Sequence, residues 1–163
     1  MNVSDIKKQV SLYLDIDETN LDDFLDIFNL FYPILWKYFE NDYELLNFFI
    51  EKINKTNFSY NNWKYQIEIN KDIFLEPYLN TFEILNANKI DIKEDWNKIK
   101  IEIDGDFNNF YYLKKLPKKE SETDNLEITN EKILRKLVYL IVSFYYERSW
   151  NFDLAEYYKN KWI

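Results

Sequence analysis

The chain contains neither cysteine nor histidine in its 163 residues. Without cysteine it can form no disulfide bond, no thiolate metal site and no cysteine nucleophile. Without histidine it lacks the commonest general base, the usual zinc ligand and every histidine-containing triad. An enzyme built on this chain would have to use carboxylates, lysine, tyrosine or serine. The leading expectation is therefore a protein that is not an enzyme, with no catalytic residue, no metal site and no cofactor.

Basic residues are also scarce, because 21 lysines and arginines face 29 aspartates and glutamates and leave a net charge of -8. Binding nucleic acid by phosphate neutralisation needs a concentrated basic surface, so this charge argues against it. A single basic cluster is followed at once by acidic residues, which predicts a solvated loop. Its members are Lys114, Lys115, Lys118 and Lys119.

The sequence lacks an N-terminal signal pattern and any uninterrupted apolar run of membrane-spanning length. We therefore expect a soluble protein made inside the cell, with no membrane interaction. Apolar residues are nevertheless abundant, since hydrophobic residues make up 47% and aromatic residues 20% of the chain. This supply is enough for the core of one domain and leaves apolar surface for a partner.

Apolar residues at helical spacing mark the first third of the chain. Ser4 is suited to begin the first helix as its N-cap. A second helical pattern contains Pro33, so that helix should kink or restart there. A third helical pattern ends at Ile53. Together these patterns predict helices over residues 4–53.

An alternating pattern then replaces the helical one. Residues 63–69 and 99–103 alternate between apolar and polar side chains, as half-buried strands do. Asp104-Gly105 is a strong turn signal, and residues 110–113 can return as the partner strand of a hairpin. These features predict a small antiparallel sheet within residues 63–114.

Helical spacing resumes after a polar loop and predicts a long helix over residues 129–148. The predicted fold class is α+β, mainly α: N-terminal helices, a small central antiparallel β-sheet or hairpin, and a long C-terminal helix followed by an aromatic tail. We expect one domain over residues 1–148 and a C-terminal extension over residues 149–163.

Aromatic residues are concentrated at the end of the chain. Tyrosine and tryptophan give large contact areas with few rotors to immobilise, and they are enriched at binding hot spots. Two interpretations stay open: about half of these side chains close the core, or they bind a partner. The residues are Tyr145, Tyr146, Trp150, Phe152, Tyr157, Tyr158 and Trp162.

Residues 15–19 contain a D-x-D-x-T pattern that resembles the nucleophile motif of haloacid-dehalogenase-type phosphatases. The resemblance implies that Asp15 attacks phosphorus and Asp17 acts as acid and base, with magnesium shielding their charges. Gly105-Asp106 resembles part of that family's metal-binding motif. Such enzymes carry the motif after a parallel strand, whereas a helix is predicted here. The other interpretation is that the acidic residues complement the N–H groups of the second helix.

Two segments resemble the phage head-tail connector family. Residues 6–17, followed by residues 22–25, are similar to its opening, where a short helix and an acidic turn precede a longer helix. Residues 131–142 and Tyr146-Glu147-Arg148 are similar to its closing helix, which commonly ends in a tyrosine, an acid and an arginine. The order of helices, small sheet and helix fits this family as well.

The resemblance implies a structural protein of the virion that forms a dodecameric ring on the portal and links the capsid to the tail. Its partners would be the portal protein, tail or further ring proteins, and other copies of itself. Genomic DNA would pass through the channel without specific binding, because the acidic ring repels its phosphates. The location would be the head-tail junction of the virion, and the host cytoplasm during assembly.

Candidate sites follow from the same resemblance. The expected portal-binding residues are Trp150, Phe152, Tyr157, Tyr158, Trp162 and Ile163. The residues expected at subunit contacts or along the channel are Asp104, Gly105, Asp106, Lys114 and Lys115. An alternative function for an acidic, aromatic protein is that of an inhibitor or immunity protein that covers the basic site of an enzyme with carboxylates.

Overall fold

The computed structural model describes residues 1–78 and 89–161 and has two compact units. Unit 1 combines residues 1–48 with residues 116–163, and unit 2 comprises residues 49–115. The predicted class is confirmed, because helices at both ends of the chain flank antiparallel sheets. The predicted boundary at residue 148 stays a prediction.

Unit 1 is helical in its described part. Its α-helices are α1 (Val3–Leu14), α2 (Phe24–Phe31), α3 (Tyr43–Leu46), α4 (Glu131–Arg148) and α5 (Phe152–Asn160). Short 3₁₀ helices cover Glu18–Asn20 and Tyr32–Phe39, and a third over Asn47–Phe49 includes the first residue of unit 2. Isoleucine, leucine, phenylalanine and valine side chains from α1, α2 and α4 form the core.

Local sequence explains where these helices begin. The N-cap of α1 is Asn2 and not the predicted Ser4, because Asn2 and Asp5 bond each other's backbone N–H in a capping box. Pro33 lies in the first turn of the 3₁₀ helix that follows α2, so the predicted restart is confirmed. Asn130 caps α4 by accepting bonds from two backbone N–H groups.

Helix α4 is the centre of unit 1. All eight residues from Lys136 to Ser143 are buried, so this part of the helix is covered on every side. The helix ends at Arg148, as predicted from the apolar spacing.

Unit 2 contains two antiparallel sheets in its described part, with strand orders β1-β7-β4 and β2-β3-β6-β5. The strands are β1 (Ile50–Asn54), β2 (Ser59–Asn61), β3 (Lys64–Asn70), β4 (Phe74–Pro77), β5 (Lys89–Asp95), β6 (Lys98–Asp104) and β7 (Asn109–Lys114). The alternation in β6 places Ile99, Ile101 and Ile103 in a core with residues of both sheets. The strands predicted within residues 63–69, 99–103 and 110–113 are confirmed as β3, β6 and β7.

Two sequence predictions about unit 2 are wrong. The third helical pattern does not reach Ile53, because residues 50–54 form β1 and pair with β7. Asp104-Gly105 does not close a hairpin, since β6 pairs with β3 and β5 while β7 lies in the other sheet. The segment instead crosses between sheets, and burial of Phe107 holds this crossing in place.

Candidate functional site

The aromatic tail folds back along α4 within unit 1. Trp150 has a φ of 62° and reverses the chain between the two helices, while Asn151 N–H donates to the Tyr146 carbonyl at 2.9 Å. Helix α5 then packs on α4 through the buried Ala155, whose carbonyl accepts a 2.7 Å bond from Ser143 Oγ. The tail is therefore an ordered helix with one attached side.

A buried lysine secures the far end of α5. Lys136 is 4% exposed, and its Nζ donates to the carbonyl oxygens of Lys159 at 2.7 Å and Lys161 at 3.2 Å. These carbonyls carry the partial negative charge of a helix C-terminus. Burial lowers the pKa of Lys136 below its usual value. Lys136 thus caps α5 from the neighbouring helix.

Tyrosine rings complete the attachment of α5. The ring of Tyr158 lies 5.7 Å from Tyr146, 5.8 Å from Tyr13 and 6.0 Å from Tyr139. Lys161 Nζ lies 5.0 Å from the centre of the Tyr139 ring, within the range of a cation–π contact. Tyr158, a predicted portal-binding residue, therefore joins α5 to α1 and α4.

Replacing the buried lysine should loosen α5 while α4 stays folded. Lys136→Met keeps the apolar stem but removes two charge-assisted hydrogen bonds, each worth about 1.5 to 3 kcal/mol. Amide hydrogen exchange should show protection across α5 falling at least about tenfold, with α4 changing less. The exposed Lys132 on the same helix supplies the control, Lys132→Met. Equal protection of the α5 amides in Lys136→Met and Lys132→Met would contradict the role of Lys136 as the cap of α5.

Three aromatic residues of this segment leave more than half of their surface exposed. Trp150 is 82% exposed, and Phe152 and Tyr157 are each 56% exposed. The Trp150 and Phe152 rings contact one another edge to face at 5.9 Å. We call Trp150, Phe152 and Tyr157 the exposed α5 aromatics. Two further predicted portal-binding residues, Trp162 and Ile163, lie outside the described residues.

The residues predicted at subunit contacts or along the channel lie in unit 2, at two separate places. Asp104, Gly105 and Asp106 line an open cleft of about 400 Å³ at one end of the β2-β3-β6-β5 sheet. Lys114 lies at the end of β7 away from this connection, 3.7 Å from Glu51 on the neighbouring strand, and Lys115 follows it. The structure therefore groups the first three residues and separates them from the two lysines.

One member of the basic cluster is not solvated, contrary to prediction. Lys119 is 7% exposed, and its Nζ lies 2.6 and 2.8 Å from the two carboxylate oxygens of Glu127. The hydroxyl of the buried Tyr32 donates to the same carboxylate at 2.8 Å. Burial raises the pKa of Glu127, but the hydrogen bonds from Lys119 and Tyr32 lower it by more. The pKa of Glu127 is therefore below its usual value. The cluster therefore belongs partly to the unit 1 core.

The acidic D-x-D-x-T segment forms local caps. Asp15 ends α1 in a left-handed conformation with φ 53°. Asp17 Oδ1 accepts 2.9 Å bonds from the N–H and hydroxyl of Thr19, which lower the pKa of Asp17. In the described part of the chain the strands are antiparallel, so the parallel-strand setting of a phosphatase nucleophile is not seen there.

Residues 1–78 and 89–161 hold no group of three acidic side chains placed to bind a metal ion. Among the helices of that same part, none is long and apolar enough to cross a membrane.

Comparison with protein-family models, curated proteins and solved structures gave no significant match. The functional assignment therefore rests on the chain's own residues. The sequence pattern identified the aromatic tail but missed Lys136. A lysine within a helical pattern reads locally as a solvated side chain, and nothing near it in the sequence indicates its contact with α5.

Proposed function

We propose that this chain is a structural assembly protein that joins other protein subunits, specifically a head-tail connector of a tailed phage. The observation that supports it is the exposure of Trp150, Phe152 and Tyr157 on and beside a helix that is fixed to the core. Large aromatic side chains of this kind are typical hot-spot residues of protein interfaces.

Attachment of α5 makes these side chains effective binding groups. The Lys136 cap and the Tyr158 contacts fix the helix before any partner arrives. A preorganised surface loses less conformational entropy on binding than a flexible tail would. The exposed α5 aromatics therefore form the portal-binding surface in this proposal.

The remaining parts of the connector proposal concern the ring. Copies of the chain surround a channel, and their net charge of -8 each repels DNA phosphates. DNA then passes without adhering to the wall. Acidic residues of the β6–β7 connection contact a neighbouring subunit or face the channel, and the assembly resides at the head-tail junction of the virion.

Negative-stain electron microscopy of the chain mixed with the portal protein of the same genome tests this proposal. We expect an added ring of density with the portal's symmetry. The triple variant Trp150→Ser, Phe152→Ser, Tyr157→Ser should remove that density, because loss of hot-spot residues weakens binding by about 2 kcal/mol or more each. Portal rings without added density for the wild-type chain would contradict the proposal.

Point variants are better suited to this test than removal of the tail. Truncation after Arg148 would also expose the buried Lys136 and Ser143 on α4. Tyr43→Ser is the control, since Tyr43 is 68% exposed in the same unit and belongs to α3 instead of α5. Equal loss of binding in this control would contradict a specific role for the exposed α5 aromatics.

An inhibitor or immunity protein is the second candidate, favoured by the acidic charge of the chain. Stoichiometry separates the two functions, because an inhibitor binds its basic enzyme one to one whereas a connector joins a ring. Absence of portal binding together with a one-to-one complex would assign the chain to the inhibitor class.

A further inference from the structure

We propose that the cleft in unit 2 binds a basic side chain, lysine or arginine, of a protein partner. This inference rests on the proposed assembly function and names the chemistry of the group that meets the β6–β7 connection. We call it the aromatic-acidic cleft. Its lining residues are Tyr60, Trp63, Tyr65, Asp104, Gly105 and Asp106.

Strand register assembles the aromatic-acidic cleft. A two-residue turn, Asn62-Trp63, joins β2 to β3, and both of its residues have positive φ. Tyr65 pairs with Ile103 across β3 and β6, so this turn lies at the same end of the sheet as Asp104. Aromatic and acidic residues from separate strands therefore line one opening.

The lining is complementary to an organic cation. Aromatic faces carry negative potential and attract ammonium and guanidinium groups within about 6 Å of the ring centre. The Tyr60 and Tyr65 rings lie 4.7 Å apart, and the carboxylate of Asp104 makes no ion pair within the described residues. The Tyr65 ring already contacts Tyr60 and Lys55. A bound cation would therefore meet the exposed rings of Tyr60 and Trp63 and the unpaired carboxylate of Asp104.

The chain's own Lys55 shows the same recognition beside the cleft. Its Nζ lies 2.7 Å from Asp106 Oδ1 and 4.7 Å from the centre of the Tyr65 ring. Asp106 and Tyr65 raise the pKa of Lys55. Because Lys55 already neutralises Asp106, the carboxylate left for a partner is that of Asp104.

Trp63 has a conformation that packing within the chain does not explain. It is 83% exposed with φ 64°, in a turn position where glycine or asparagine is strongly preferred. A bulky side chain is a conformational outlier there. Contact with a partner at the cleft gives this indole a role.

Trp96 provides an internal comparison. It is 95% exposed with φ 49°, in the turn between β5 and β6 at the opposite end of the same sheet. Trp96 is not part of the aromatic-acidic cleft. Any response that comes from exposed indoles in general will therefore appear at both tryptophans.

Nuclear magnetic resonance of the full chain tests the inference. The indole N–H signals of Trp63 and Trp96 would be assigned with Trp63→Phe and Trp96→Phe and followed during titration with Nα-acetyl-lysine methylamide and Nα-acetyl-arginine methylamide. We expect a saturable shift at Trp63 and none at Trp96. Nα-acetyl-norleucine methylamide, which lacks the charge, should shift neither signal.

Substitution of the unpaired carboxylate provides the second arm. Asp104→Asn keeps the size of the side chain and should weaken binding of the lysine probe about fivefold, the ratio that corresponds to about 1 kcal/mol. Asp95→Asn, beside Trp96, is the matched control and should leave affinity unchanged. An undisturbed Trp96 signal would show that Asp104→Asn is folded, and an undisturbed Trp63 signal would show the same for Asp95→Asn.

Several results would overturn the inference. They are the absence of a Trp63 shift with both cationic probes, an equal shift with the norleucine probe, or unchanged affinity in Asp104→Asn. A Trp63 shift with a neutral trisaccharide in place of the cations would assign the cleft to carbohydrate and overturn it as well. Portal binding without a Trp63 shift in the presence of the cationic probes would contradict this inference but not the assembly function.

Discussion

Phe107→Ala should destabilise unit 2 by about 3 to 5 kcal/mol, the range measured for truncating a buried phenylalanine. The Phe107 side chain is completely buried in the segment that carries the chain from one sheet to the other. Its ring lies 5.0 Å from Phe58 and 5.2 Å from Tyr65, in edge-to-face geometry. Removing it leaves a cavity in the core that both sheets share.

Urea unfolding of the full chain, followed by hydrogen exchange in β3, β6 and β7, measures this effect. Phe107→Leu fills most of the space and should cost less than Phe107→Ala. Trp96→Ala removes a large but exposed aromatic side chain and should stay within about 0.5 kcal/mol of the wild type. A loss below about 1 kcal/mol for Phe107→Ala would contradict the role of this ring.

Glu127→Ala should destabilise unit 1 by about 2 to 3 kcal/mol, below the usual 3 to 5 for a fully buried pair because the carboxylate is partly exposed. The substitution leaves the Lys119 ammonium buried without its carboxylate partner. It also leaves the Tyr32 hydroxyl without its acceptor. Urea unfolding with hydrogen exchange in α2 and α4 measures the loss.

A double variant separates the ion pair from packing. Lys119→Met combined with Glu127→Gln removes both charges and should recover most of the stability lost in Glu127→Gln alone. Lys118→Met, at an exposed neighbouring position, is the control for the lysine substitution. Additive losses in the double variant would contradict coupling between Lys119 and Glu127.

The same ion pair has a predictable pH dependence. The folded-state pKa of Glu127 is lowered, so the unfolded state binds more protons and the carboxylate contributes stability above its unfolded pKa, about 4.3. That contribution is lost as pH falls through the folded-state pKa. The difference in stability between wild type and Glu127→Gln should therefore narrow in acid.

Sequence periodicity predicted the helices and strands in which buried apolar residues recur at the spacing of the element. The apolar spacing located α4, and alternation located β6. Pro33 marked the restart after α2. These predictions succeed because helix and strand periods follow from which faces are buried.

Predictions failed where distant residues decide the outcome. Asp104-Gly105 carries a hairpin signal, but burial of Phe107 sends the chain to the other sheet. Residues 50–54 become β1 because β7 offers paired backbone groups. Lys119 is buried because Glu127 and Tyr32 meet it, and neither contact is visible in a local charge pattern.

In the candidate sites, too, local sequence predicted some features and contacts between distant residues decided others. Composition identified the aromatic tail, but only packing separates Tyr158, which attaches α5, from the exposed Trp150. The sequence also indicated Asp104 and Asp106. Its local pattern did not reveal that Tyr60 and Trp63 from another hairpin complete the cleft.

The division of unit 1 between residues 1–48 and 116–163 has a consequence for biosynthesis. On the ribosome, α1 and α2 emerge first, but α4, which covers them, is made only after unit 2 is complete. At ordinary rates of translation this delay is on the order of ten seconds. The nascent chain therefore presents uncovered apolar helices throughout that time, and we expect it to depend on chaperones until α4 leaves the exit tunnel.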